Sequence, residues 1–243
     1  MQLLRAAESS RSHFIFCEVD LNGTLFSGRT FDAFLFDMDG TLLSSIEVAE
    51  RVWTRWAAKF GIDAATFLPD IHGRRAVDSI KRLNISGIDV EKEAAEITQA
   101  EIDDVEGVHA IEGVQQFLKS LPQSRWAIVT SAPRALAERR LQAVEIQAPG
   151  VLVTAEDITQ GKPNPACFLT AAKRLGFDAR NCVVFEDADA GIRAGENAGA
   201  EVMVITAVHK EPIETSHPTR RDYTRLRASV TESGQLQLAD GST

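Results

Sequence analysis

From Phe31 onward, short apolar runs alternate with amphipathic stretches, and this alternation restricts the chain to a parallel sheet with helices on both faces. The apolar runs are Phe31 to Asp37, Arg125 to Ser131, Val151 to Ala155, Cys182 to Asp187 and Glu201 to Thr206. Helical spacing marks Ala135–Val144, Pro165–Leu175 and Ala190–Ala198 between them. The expected fold class is therefore α/β, a Rossmann-like, doubly wound parallel sheet. In such sheets the chemistry gathers outside the C-terminal ends of the strands. Asp37, Ser131 and Asp187 each end one of the apolar runs, so three strands aim polar groups at one crevice.

The alternation breaks between 45 and 108. Val52, Trp53, Trp56 and Phe60 fall near helical spacing in Ile46–Phe60, with Gly61 as a stop. Further helices are expected at Arg74–Leu83 and Val90–Asp104, with no strand between them. We read 45–108 as a small helical cap inserted into a core made of 31–44 and 109–243, placed where it can act as a lid. Trp53, Trp56 and Phe60 read as the core of that insert, and Glu101, Asp103, Asp104 and Glu106 as a solvated helix face. Residues 1–30 read as an extension. It contains VDLNGTLF (Val19 to Phe26), a near copy of FDMDGTLL (Phe36 to Leu43) with Asn22 in place of Asp39, so the site belongs to the second copy. After Pro212 periodicity is weak, and the tail is expected either to add a short edge strand near Leu236–Leu238 or to be loosely attached.

Asp37-Met38-Asp39-Gly40-Thr41 puts two carboxylates at a strand end, where they can do different work. Asp37 can attack phosphorus to give an aspartyl phosphate. Asp39 can protonate the leaving oxygen and later take a proton from water. Gly40 permits the tight turn that brings backbone N–H groups near a phosphate. On its own the segment also reads as a solvated turn, as Ser131 alone reads as a cap and Lys162 alone as a solvated loop lysine. Together they make a site. Ser131 and its neighbouring N–H groups can hold phosphate oxygens, and Lys162, in Gly161-Lys162-Pro163-Asn164-Pro165, can neutralise charge developing at Asp37. Glu186-Asp187 abuts apolar residues, which is costly without a cation. Oxygen donors with no His or Cys favour Mg²⁺ over zinc. Asp37, Asp187 and Asp39, the last through its backbone carbonyl, would supply part of the coordination, with Glu186 either a further ligand or a support behind them.

Four ordered segments, FDMDGT, VTS, GKPNP and VFEDADAGIRAG, resemble the motifs of the haloacid dehalogenase superfamily, in the branch with a helical cap after the first motif. The resemblance covers about residues 31 to 207. It implies a Rossmann-like core, Mg²⁺, and the roles just given for Asp37, Asp39, Ser131, Lys162 and Asp187, with Thr41 and Ala132 lining the phosphate site. Dehalogenases of the family lack the second aspartate, so Asp39 points to phosphoryl transfer. Ile71-His72-Gly73-Arg74-Arg75 is similar to the substrate loop of hexitol-, deoxyhexose- and glycerol-phosphate phosphatases. His72, Arg74 and Arg75 are accordingly candidate substrate ligands, their donors suited to hydroxyls and phosphate; each also reads as part of a helix start facing water. The related β-phosphoglucomutases carry a histidine twelve residues after the nucleophile, where this chain has Ala49. Ser44 stands where the family often has an aspartate.

The expected activity is hydrolysis of a sugar or polyol monophosphate, with a phosphomutase and a non-catalytic binding protein on the same fold as the alternatives. A net charge of −9 argues against nucleic acid or an anionic membrane as partner, and leaves a small phosphate monoester open. Three scattered cysteines, Cys17, Cys167 and Cys182, read as reduced thiols. No run approaches a membrane span or a secretory signal, so a cytoplasmic enzyme, a monomer or weak homodimer, is expected.

Overall fold

The computed structural model describes residues 25–241; Cys17 and the Asp20 and Asn22 of the duplicated segment lie outside them. In chain order the elements are β1 (Thr30–Phe31), β2 (Ala33–Phe36), β3 (Leu43–Ser44), α1 (Ile46–Lys59), α2 (Leu68–Ile71), α3 (Ala76–Leu83), α4 (Val90–Asp103) and β4 (His109–Ala110). There follow α5 (Val114–Lys119), β5 (Trp126–Val129), α6 (Arg134–Ala143), β6 (Leu152–Val153), α7 (Ala166–Leu175), β7 (Cys182–Glu186), α8 (Asp189–Asn197) and β8 (Glu201–Ile205). Three short strands close the chain: β9 (Thr219–Arg220), β10 (Leu226–Val230) and β11 (Leu236–Asp240).

Six strands form a parallel sheet in the order β6-β5-β2-β7-β8-β9. The chain leaves β2 toward β5 and β6, then returns to lay β7 and β8 on the other side of β2. The winding thus reverses between β2 and β7, where a doubly wound sheet opens a crevice. Alternate side chains face opposite sides, as strand geometry requires. Ala33, Leu35, Ala127, Val129, Val184 and Val202 pack with Phe168 and Ala171 of α7 and with Ala194 of α8. Phe34, Phe36, Trp126, Ile128 and Phe185 face the other way, onto Phe117 of α5 and Leu136 and Leu141 of α6.

The C-terminal segment completes that second layer. Tyr223, Leu226, Leu236 and Leu238 are buried in the same core as Phe36 and Phe185, and the Tyr223 ring stacks on Phe185 at 6.2 Å. β11 pairs with β1 on one side and β10 on the other, so it is the central strand of a separate antiparallel sheet rather than an edge strand or a loose tail. The apolar run from Phe31 accordingly splits. Phe31 belongs to the small sheet, a bend at Asp32 turns the chain, and Ala33 starts the large one. The bend is tied down on both sides: Asp32 N donates to Asn181 O at 2.7 Å, and the Arg125 guanidinium donates to Asp32 O at 3.0 Å.

Helices α1 to α4 fill the stretch between the paired strands β3 and β4. Val48, Val52, Trp53, Trp56 and Ala57 make one buried stripe on α1, meeting Phe67, Ile71, Ile80, Ala94 and Ile97 in a separate small core. Phe60, expected in that core, is instead exposed at the helix end, though it touches Trp56. Helix α3 starts at Ala76, with Arg74 and Arg75 in the preceding extended turn. Among the described residues no helix is long and apolar enough to cross a membrane.

Candidate active site

The first motif lies in the loop after β2. Asp37 N donates to Phe185 O at 2.9 Å, which locks the start of the loop to β7, and Leu42 N returns to Met38 O at 2.8 Å to close the turn. Gly40 sits at φ +90°, and a Cβ there would collide with the Asp187 carboxylate. The close approach of the two strand ends therefore depends on glycine. On α8 a Cβ at Gly191 would likewise collide with the Glu186 carboxylate, so both acids of the second strand end lie against bare backbone.

Asp37, Lys162, Glu186 and Asp187 are all buried. Lys162 Nζ donates to Asp37 Oδ1 and, at 2.7 Å, to Glu186 Oε1. Glu186 Oε2 accepts the backbone N–H groups of Asp187 and Ala188 at 2.8 and 2.9 Å. Both Glu186 oxygens are thus engaged within the protein. Thr41 Oγ1 donates to Asp187 Oδ1 at 3.2 Å, so the threonine side chain serves the acid cluster. Burial raises the Asp37 carboxyl well above its ordinary range, with Lys162 opposing and Glu186 and Asp39 reinforcing the rise. Asp187 is raised in the same way, by burial first and then by Glu186 and Asp37. Burial works against the Lys162 charge, but Asp37 and Glu186 outweigh it and hold the ammonium above its usual value.

Three carboxylates against one ammonium leave two uncompensated negative charges in a dry site, which calls for a cation. Asp37, Glu186 and Asp187 place an oxygen each within 4.8 Å of one another, and Asp37 Oδ2 is buried without a hydrogen-bond partner. The donors are oxygens only. The residues fit a hard divalent ion such as Mg²⁺.

In front of Asp37 lies a cavity of about 80 Å³ between the sheet edge and the helical insert. Asp39, His72, Arg74, Ser131 and Ala132 all reach it. Burial lowers the His72 pKa, with Glu50 and Asp39 opposing the shift. Arg74 lines the cavity and makes no side-chain hydrogen bond among the described residues. Ser131 Oγ donates to Gly73 O at 2.9 Å, a link between core and insert, and the Ala132 N–H donates to Thr130 Oγ1 at 3.0 Å. Arg75 does not enter the cavity. Its guanidinium is held by Asp78 at 2.7 and 2.9 Å, and Nη1 donates to Thr159 O of the core at 3.2 Å.

Two residues with no expected role also line this cavity. Arg140, buried on α6, donates from Nη1 to Asp39 Oδ1 at 2.8 Å and pairs through Nη2 with Glu101 Oε2 at 3.3 Å. Glu101 is therefore not part of a solvated face; burial raises its carboxyl pKa while Arg140 opposes the rise. Helical spacing carried the signal for both. Arg140 falls on the Leu136, Ala137 and Leu141 face, and Glu101 on the Ala94 and Ile97 stripe.

Residues 31–199 match the haloacid dehalogenase-like hydrolase family. Hexitol phosphatase A of Escherichia coli is 37% identical over 183 residues, which are 74% of this chain and 85% of that protein. Glycerol-1-phosphate phosphohydrolase 1 of Saccharomyces cerevisiae is 34% identical over 72% of this chain and 74% of its own length. A crystal structure of a hydrolase from Pseudomonas syringae superposes with a TM-score of 0.66 at 26% identity, covering 73% of this chain and 85% of that one.

Proposed function

The chain belongs to the haloacid dehalogenase-like hydrolases, and from that membership and the site geometry we propose that it is a phosphoric monoester hydrolase acting on a sugar or polyol phosphate. The observation that carries the reading is the buried Asp37–Lys162 pair with Asp39 two residues on, facing one cavity. A carboxylate held by an ammonium, with a second carboxylate free to exchange protons, suits attack at phosphorus. The relatives named as hexitol and glycerol phosphate phosphatases support the substrate class.

In the first step an Asp37 oxygen bonds to phosphorus while the bond to the leaving oxygen breaks, and Asp39 gives that oxygen a proton. In the second, water attacks phosphorus, Asp39 takes its proton, and the Asp37–phosphorus bond breaks to release inorganic phosphate. Lys162 compensates the charge around Asp37 throughout. Asp37, Asp187 and the Asp39 carbonyl would hold Mg²⁺, which when bound neutralises charge on the phosphoryl oxygens. Arg74 and His72 supply donors for the hydroxyl-bearing part of the substrate. The cavity, about 80 Å³, is far below the 300 Å³ or more usual for ligand sites, and we infer that the insert swings away to admit substrate. Its return excludes bulk water during the reaction.

Phosphate release from hexose, hexitol, pentose and triose phosphates, with and without Mg²⁺, tests the reading. Activity on a subset of the panel is expected, removed by chelator and lowered on the order of 1,000-fold or more by Asp37→Asn. No release from any substrate, or an Asp37→Asn protein as active as the wild type, would overturn it.

A further inference from the structure

The site contains a buried arginine that motif comparison does not assign. We propose that Arg140 is a positioning residue that fixes Asp39 for proton transfer, and that Glu101 of the helical insert completes this arrangement only when the insert is closed. The proposal rests on the phosphatase reading, because it assigns a supporting partner to the acid and base of that reaction.

The atoms involved are specific. Ser45 Oγ and Arg140 Nη1 both donate to Asp39 Oδ1, at 2.7 and 2.8 Å. Among the described residues no hydrogen bond reaches Oδ2, and Asp39 lines the cavity. Two donors on one oxygen lock the rotation of the carboxyl and leave the other oxygen to hold or accept the transferred proton. Arg140 can do this because its planar fork reaches two acceptors at once, Asp39 from the core loop and Glu101 from α4. Lysine, with a single point of charge, cannot hold both in that geometry.

Glu101 holds the other side of the fork, so the Arg140 guanidinium is fixed between two carboxylates and cannot turn away from Asp39. The partners come from different parts of the fold: Arg140 is on α6 of the core, while Glu101 is near the end of α4 in the insert. Swinging the insert away withdraws Glu101. Proton transfer is thereby tied to closure, in addition to the exclusion of water.

A general acid matters for a poor leaving group and little for a good one, which separates this role from a structural one. The measurement is kcat/KM, which reports transfer to Asp37 and departure of the alcohol, for two substrates: the best alkyl phosphate of the sugar and polyol panel, and p-nitrophenyl phosphate. Arg140→Met is expected to lower the alkyl value about 100-fold and the aryl value less than tenfold. Arg140→Lys recovers part of the alkyl loss, since one carboxylate can still be paired. Glu101→Gln retains Arg140 and keeps the side-chain volume; it lowers the alkyl value about tenfold with a smaller aryl effect. Thermal melting checks folding, and if Arg140→Met does not fold, Glu101→Gln and Arg140→Lys decide the matter.

Equal losses for both substrates, or no loss in Glu101→Gln, would overturn the positioning role while leaving the phosphatase reading intact. A wild-type protein that releases no phosphate from either substrate overturns that reading, and this proposal with it.

Discussion

Gly40 and Asp187 occupy the same small volume: a Cβ on the glycine would enter the aspartate's carboxylate. The first motif and the end of β7 are thus joined through a missing side chain. Gly40→Ala must both adopt φ +90°, costing about 1–2 kcal/mol for a residue with a Cβ, and push Asp187 away. We expect a folded protein of lower stability in which Mg²⁺ no longer raises the melting temperature. The wild type should gain about 2.7 kcal/mol at Mg²⁺ 100-fold above its dissociation constant. Thermal melts with and without Mg²⁺ check both statements.

Lys162 compensates Asp37 and Glu186 at once. Lys162→Met leaves two buried carboxylates without their cation, and breaking a buried pair from one side costs about 3–5 kcal/mol. Adding Asp37→Asn removes one of the stranded charges. The double variant should therefore be more stable than Lys162→Met alone, a coupling that denaturant titration of the four proteins in the cycle measures. Simple additivity would show that the ammonium does not hold the site together.

Arg74 and Arg75 are adjacent and indistinguishable in sequence, yet only Arg74 faces the cavity. Loss of a charged hydrogen bond to substrate costs about 1.5–3 kcal/mol, so Arg74→Ala should raise KM about tenfold or more. Arg75, spent on Asp78 and Thr159 O, should on removal change KM by less than about threefold, as partly exposed pairs contribute little. Steady-state kinetics on one sugar phosphate separates the two.

The contrast shows where sequence reasoning runs out. The parallel sheet was legible because strands buried on both faces must be continuously apolar, and Asp37, Ser131 and Asp187 were legible because each ends such a run. What a side chain meets across the fold was not. Arg75 turned away because Asp78 lies one helical turn on, and Arg140 turned inward because Asp39 and Glu101, each distant in sequence, converge on it. The C-terminal strands were obscured because β10 is mostly exposed, with a short and irregular apolar pattern. Only Tyr223, Leu226, Leu236 and Leu238 carry their burial.

Asp157 offers a test of the electrostatics away from the buried acidic cluster. Its carboxylate accepts from Arg174 at 2.6 Å and from the N–H and hydroxyl of Thr154, closing the loop that follows β6. Chiefly through Arg174, its pKa is lowered from 3.8 to about 2. A carboxyl lowered on folding stabilises the protein wherever it is ionised in the unfolded chain, and that contribution fades as pH falls from about 4 toward 2. Asp157→Asn should therefore cost on the order of 1 kcal/mol at neutral pH, discounted for the exposed Arg174 partner. The gap between variant and wild type should hold down to about pH 4 and narrow steadily below it. Urea midpoints for both proteins at neutral pH, about pH 4 and about pH 3 measure this; a gap that is unchanged at the lowest pH would show that Asp157 contributes through packing rather than through its charge.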